Sequence, residues 1–406
     1  MVKPGYKQTE IGVIPENWEV GAIGSVCTSV DVGGNYQNSA TPSDYPLIKM
    51  GNLSRGNITL EKVEYIKATI PDQKDLLHYG DVLFNTRNTP ELVGKVAIWR
   101  NELPRAYYNS NLLRFVFDTE KADSFYMNLA LNTEKTISAF RNIAKGTTSV
   151  AAIYPQDLLK VIIPIPPLAE QQRIAETLSD MDELIASLEK LIEKKKAIKQ
   201  GAMQELLTGK RHLPGFTGEW REYAVEDIAV FCTASIPTSW INLRQYIGTD
   251  NMLANRDGIR DNTIAIPYVV VREYREGDIL LSNIRPYLKK IWLADKAGGC
   301  SNDVFVIRSI NNEKVLPTFL FYLLSQDAFF DEVMASSVGT KMPRGDKNII
   351  KNYRITVPSD SSEQQSIVSI LSSMDYEMKK LKEKLEKTRQ IKQGMMQQLL
   401  TGKIRV

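Results

Sequence analysis

Apolar residues recur every three or four positions along two stretches of the chain. In the first they fall at Ile174, Leu178, Met181, Ile185, Leu188 and Ile192, and in the second at Ile367, Leu371, Met374, Met378, Leu381 and Leu385. Alternating steps of four and three make an a/d seam of period 3.5, the pattern of helices that pair side by side. An apolar face continues through Ile198, Met203 and Leu206, and through Ile391, Met396 and Leu399. The two stretches are copies. IKQGAMQELLTGK, ending at Lys210, and IKQGMMQQLLTGK, ending at Lys403, agree at eleven of thirteen positions, 193 residues apart. Glu170-Gln171-Gln172 and Glu363-Gln364-Gln365 stand at the same offset.

The ends carry helix signals. Pro166-Pro167 precedes the first copy, and Ser362 with Gln365 three residues on reads as a capping box for the second. Gly209 and Gly402 stand where a C′ glycine belongs. Each helix therefore runs about 38 residues, roughly 57 Å at 1.5 Å per residue. Antiparallel pairing is expected, because a compact intervening domain can then leave and rejoin the pair at one end. Charge agrees: residues 170–189 carry six acids and one base, whereas 383–400 carry four bases and two acids.

The remaining segments pair off as well. Gly80-Asp81-Val82-Leu83 corresponds to Gly277-Asp278-Ile279-Leu280, Trp99 to Trp292, and Trp18 to Trp220. Each half reads as several short strands (YPLIKM, VAIW, LLRFVF; IPYVVV, DILLSNI, DVFVI), then a helical pair near 124–141 or 316–335, then a last strand, VIIPIP or YRITVP. The expected organisation is α+β with an irregular sheet in each half. Two α/β domains, 1–165 and 211–360, are separated by an antiparallel coiled coil of two repeated helices, 166–210 and 361–406, with pseudo-twofold symmetry.

Composition adds limits. The chain has 406 residues, 43% hydrophobic and 24% charged, as in ordinary globular proteins, and a net charge of only +3, so charge must be judged by location. Three dispersed cysteines, Cys27, Cys232 and Cys300, form no CxxC pair and fit a reducing compartment. His78 and His212, the two histidines, read as surface or turn residues, leaving little for metal or acid–base chemistry. No apolar run reaches the ~20 residues of a membrane span, and MVKPGYKQTE lacks the apolar core of a signal peptide. A cytoplasmic protein without membrane contact is expected.

Two heads on a ~57 Å rod could straddle about 17 base pairs, which suits a split DNA site. The same shape would serve a two-headed protein adaptor. IPIPPLAEQQRIAETLSDMDELI, KQGAMQELLTGK and the opening KQTEIGVIPENWEV together resemble the specificity subunit of type I restriction–modification systems, and the resemblance covers the whole chain. In the second copy PSDSSEQQ replaces PPLAEQQ. The resemblance implies two target recognition domains reading a bipartite, asymmetric sequence in double-stranded DNA. It implies a coiled-coil spacer that docks two modification (adenine methyltransferase) subunits, with restriction (motor-nuclease) subunits joining for ATP-dependent cleavage. This chain would be non-catalytic and hold no cofactor; S-adenosylmethionine, ATP and Mg belong to the partner subunits. No GxxxxGK[ST], GxGxxG, or Asn- or Asp-Pro-Pro-aromatic motif occurs.

Base reading calls for Arg, Lys, Asn and Gln on loops beside strands. Matching loops in the two halves select Asn85, Arg87, Asn88, Lys145, Thr147 and Thr148 in the first, and Asn283, Arg285, Tyr287, Thr340, Lys341 and Arg344 in the second. Arg55 and Arg256 are weaker candidates. For partner docking the repeated helix ends select Gln171, Gln172, Leu206, Leu207, Gln364, Gln365, Leu399 and Leu400; packing inside the pair would account for the apolar ones equally well.

Overall fold

The computed structural model describes residues 2–67, 69–147, 149–266, 268–310, 312–337 and 343–406. Its contacts gather into two units, Met1–Leu188 with Lys384–Val406, and Glu189–Glu383. Each unit thus takes the front of one long helix and the back of the other.

Each unit is built on a four-stranded antiparallel sheet with one shared strand order. In the first unit the order is Val96–Ile98, Val82–Asn85, Leu112–Phe117, Cys27–Val32. In the second it is Ile291–Leu293, Ile279–Ser282, Val304–Ser309, Ala229–Phe231. The apolar runs VLF and ILL suit strands covered on both faces. Val82 and Phe84 pack with Tyr126, Met127 and Phe140 of the helical pair Ser124–Leu131 and Glu134–Ile143. Leu83 faces the other way, onto Ile48, Trp99 and Tyr108. In the second unit Ile279 and Leu281 meet Phe319 and Phe330 of Pro317–Leu324 and Asp327–Ala335, while Leu280 meets Ile247 and Trp292. Each such fully buried side chain contributes about 1.5–3 kcal/mol.

A second small sheet differs between the units. Both contain a parallel pair, Pro46–Ile48 with Tyr107–Tyr108 and Tyr246–Ile247 with Gly298–Cys300. The next strand joins opposite members of that pair: Glu64–Ile66 adds to Pro46–Ile48, but Val270–Tyr274 adds to Gly298–Cys300. Side-chain size accounts for the second arrangement. A Cβ on Gly299 would lie 2.4 Å from Val271, so only a glycine strand admits that neighbour.

The long helices are Leu168–Leu206 and Ser361–Leu399, 39 residues each. Gly209 and Gly402 follow with φ +69°, the left-handed C′ conformation. The second helix is capped by Asp360 rather than by Ser362: the Asp360 carboxylate accepts from Ser362 N at 2.8 Å. Pairing is antiparallel within each unit. In the first, Asp182 meets Lys392 and Glu170 meets Arg405. In the second, Asp375 meets Lys199 and Glu377 meets Lys195 at 2.7 Å. Asp182–Lys392 and Asp375–Lys199 are one pair written twice by the repeat. The seams close on Ile174 and Leu178 in one unit and on Ile367 and Leu371 in the other, all buried. Among the described residues no helix is long and apolar enough to cross a membrane.

Candidate nucleic-acid interface

In the first unit the candidate loops FNTRNTP and AKGTTS come together through backbone pairing. Beyond the strand Val82–Asn85 the chain makes a short strand, Arg87–Asn88, which pairs with Ala151–Ala152; that strand pairs in turn with Lys145–Gly146. Arg87 stands opposite Ala152, and Ala152 opposite Lys145. Directly opposed side chains share a face, so two bases flank one small residue, about 10 Å apart across two strand spacings. The Arg87 side chain is exposed and makes no ion pair among the described residues. The Lys145 ammonium lies 2.6 Å from Asp157, whose hydrogen bond raises the lysine pKa, and 5.8 Å from the Tyr154 ring. Thr147 is exposed in the hairpin, its N–H donating to Val150 O at 2.9 Å. Gly146 permits that turn, since a Cβ there would lie 2.1 Å from Val150 O. Asn88 is half-buried, and its side chain accepts from Thr89 N at 2.9 Å. Asn85 is fully buried and shapes the turn instead, its Oδ1 accepting from Arg87 N at 3.1 Å. Thr148 lies outside the described residues.

In the second unit SNIRPY and PRGDK meet in the equivalent way. Arg285 N donates to Pro343 O at 2.8 Å and Gly345 N to Asn283 O at 2.9 Å, with Ile284 and Arg344 as antiparallel bridge partners. Arg285 is exposed and has φ +51°; Tyr287 is also exposed. The Arg344 side chain lies 3.3 Å from Asp303, and Asn283 is half-buried. Hydrogen bonds correct the alignment of the two loops by one residue. Thr86 N donates to Asn111 O and Asn283 N to Asp303 O, so Asn283 matches Thr86, and Ser282 matches Asn85. Thr340 and Lys341 lie outside the described residues. Of the weaker candidates, Arg55 is half-buried and reaches Gly94 O at 3.5 Å; burial and then nearby Arg141 lower its pKa. Arg256 is committed to Asp327.

A family model described as the type I restriction modification DNA specificity domain matches residues 15–200 and again 219–388. The chain belongs to the type I restriction–modification specificity family. Two relatives from Methanocaldococcus jannaschii extend the match to full length. The protein named MjaX type I restriction enzyme specificity subunit is 28% identical, covering 99% of this chain and 97% of its own. The MjaVIII specificity subunit is 24% identical, covering 97% and 94%. The crystal structure of the type I S subunit from M. genitalium shares the fold, with TM-score 0.60 at 16% identity over 94% of this chain and 96% of that one. So does a structure described by the assembly and conformational transition of a type I system, with TM-score 0.56 at 17% identity over 96% and 99%.

In this specificity chain the repeated Glu-Gln of the helix starts holds each helix to its own unit. Gln171 is buried; its Oε1 accepts from Asp123 N at 2.9 Å, and its Nε2 donates to Lys121 O at 2.8 Å and Pro166 O at 2.9 Å. Gln364 repeats the pattern with Leu316 N at 3.0 Å, Lys314 O at 2.7 Å and Pro358 O at 3.0 Å. Buried Glu170 accepts from Trp18 Nε1 at 3.1 Å and from Arg405. Buried Glu363 lies 3.0 Å from Nδ1 of His212, which Trp220 Nε1 also approaches at 3.3 Å. Leu207, Leu399 and Leu400 are buried and Leu206 half-buried, all within the cores of their own units. Gln172 and Gln365, by contrast, are exposed beside the buried pair. The sequence reading missed the role of His212, because its partner is 151 residues away. The offset of 193 that aligns it with Arg405 was the signal that could have found it.

Proposed function

We propose that this chain reads DNA for a type I restriction–modification complex and performs no catalysis itself. Each unit reads one half of a bipartite, asymmetric target in duplex DNA, and the long helices set the gap of unread bases. The same helices dock two modification subunits, which carry S-adenosylmethionine and methylate adenine; restriction subunits, using ATP and Mg, join them. The observation that carries this reading is the paired loops. At neighbouring places in two units of one strand order, one residue apart in the corrected alignment, an exposed arginine, Arg87 or Arg285, stands on backbone locked to a neighbouring loop. Rigid presentation of a guanidinium suits bidentate contact with guanine or clamping of phosphate. The differing second sheets fit two different half-sites.

The test is a genomic map of methylated adenines in cells carrying this gene beside its neighbours, against a deletion. A split asymmetric motif that vanishes on deletion is the expected result. R87A should then relax one half of the motif and R285A the other. Methylation independent of the gene, with no salt-dependent duplex binding by the assembled complex, would sink the reading in favour of a DNA-independent adaptor.

A further inference from the structure

Five non-glycine residues have positive φ among the described residues: Asn101, Asn255, Arg256, Arg285 and Lys289. Four of them form one cluster in the second unit. Asn255 N donates to Leu288 O at 2.8 Å and Arg256 N to Lys289 O at 3.0 Å, so the turn 255–256 is bonded to the turn 285–289. Left-handed backbone at residues with a side chain carries a conformational cost, and it persists where the surroundings over-determine it, often at ligand clamps. Here the surroundings converge on one carboxylate. Arg256 and Lys289, one from each turn, both pair with Asp327 Oδ1, while Gln200 Nε2 donates to Asp327 Oδ2 at 2.8 Å. The Arg256 guanidinium also lies 5.4 Å over the Phe330 ring. Without the carboxylate two neighbouring cations would repel, and the two strained turns would lose the group that joins them.

We propose that Asp327 is a positioning residue for recognition by the second unit: it clasps the turns 255–256 and 285–289 together and so presents Arg285 and Tyr287 in one fixed arrangement. This rests on the reading of that loop as DNA-facing. Asp327 is not itself a contact. It lies at the start of the helix Asp327–Ala335 and acts through Arg256 and Lys289. Pre-setting a loop cuts the ordering cost of binding, and it sharpens discrimination most where the contact must be well aimed. The first unit solves the same problem with its three-stranded ribbon.

The experiment uses the complete complex purified with its modification subunits, and duplexes carrying the mapped target or single-base changes in either half. Discrimination is the ratio of methylation rates between the target and each changed duplex. D327N should lower discrimination in the half that R285A relaxes by roughly 10-fold, the scale of one lost base contact, and leave the other half unchanged. D327E should recover most of the loss. Equal loss in both halves alongside a lower unfolding temperature would overturn the proposal, since it would mark general destabilisation. Unchanged discrimination in D327N while R285A still loses it would overturn the clasp and leave the recognition reading standing. If R285A and Y287A also change nothing, the recognition reading of this loop fails first.

Discussion

Arg405 closes on Glu170 through two hydrogen bonds, at 2.5 Å from Nε and 2.8 Å from Nη2. Its repeat image is His212 on Glu363. A buried carboxylate at each helix start is thus met by the sixth residue beyond the end of the antiparallel helix. Removing one partner leaves a buried charge uncompensated, and the arginine is 43% exposed, so solvent takes part of the loss. R405A should cost about 1–2 kcal/mol, seen as a fall of several degrees in the calorimetric transition of the first unit. E170Q should relieve much of that loss, and a double-mutant cycle measures the coupling. H212R should be tolerated and H212L should not. Equal melting of these two variants would contradict the pairing.

The two glutamines of each helix start should behave oppositely. Q171L strands two carbonyls and an N–H that Gln171 now satisfies, at a cost of about 2–3 kcal/mol. Q364L should do the same to the second unit. The double variant Q172A/Q365A should stay within about 0.5 kcal/mol of the parent, and any effect should appear in co-purification with the modification subunits. Loss of stability there, with assembly intact, would reverse these roles.

Acid should release the clasp on Asp327 late. Burial works to raise the Asp327 pKa, but hydrogen bonds from Lys289 and Arg256, with their charges, outweigh it and hold the carboxyl below its usual range. A folded pKa below the unfolded one means the stabilisation is fully present above the unfolded value, near 3.9, and is lost as pH falls through the lower folded value. D327N should therefore unfold with a shallower dependence on pH below about 4 than the parent. Parallel acid-unfolding curves, followed by tryptophan fluorescence, would count against the pairing.

Spacer length gives a third kind of check. One heptad added to both long helices, in register, should lengthen the unread gap in the methylated motif and leave both half-sites as they were. Seven residues add about 10 Å of helix. Altered half-sites with an unchanged gap would remove the ruler role from the helices.

The long helices were legible because their pattern is local. A seam of period 3.5, a repeat without gaps and a glycine past each end specify a helix without reference to distant residues. The strands VLF and ILL were legible from β-branched and aromatic runs. Their shared order was not, since it depends on partners up to 90 residues away, as between Cys27 and Phe117. Gln171 and Gln364 looked like surface motif residues because repetition cannot separate an internal lock from a partner face; only their burial does. Arg87 and Lys145 were selected from separate loops, and the ribbon that joins them became visible through backbone hydrogen bonds. The clasp on Asp327 had no sequence signal. Its members are scattered over positions 256, 289 and 327, and positive φ leaves no mark on arginine or lysine.

The division of the helices has a consequence for synthesis. Residues 189–383 form one unit from a continuous run, whereas the other unit needs residues 1–188 and also 384–406. Translation at about 5–20 residues per second therefore holds the first unit open for some tens of seconds after its own segment has emerged. During that wait Glu170 lacks Arg405, and the core around Ile174 and Leu178 lacks Leu399 and Leu400. The unit begun by residues 1–188 is thus completed after the unit of residues 189–383, and a lesion within 384–406 falls on the former.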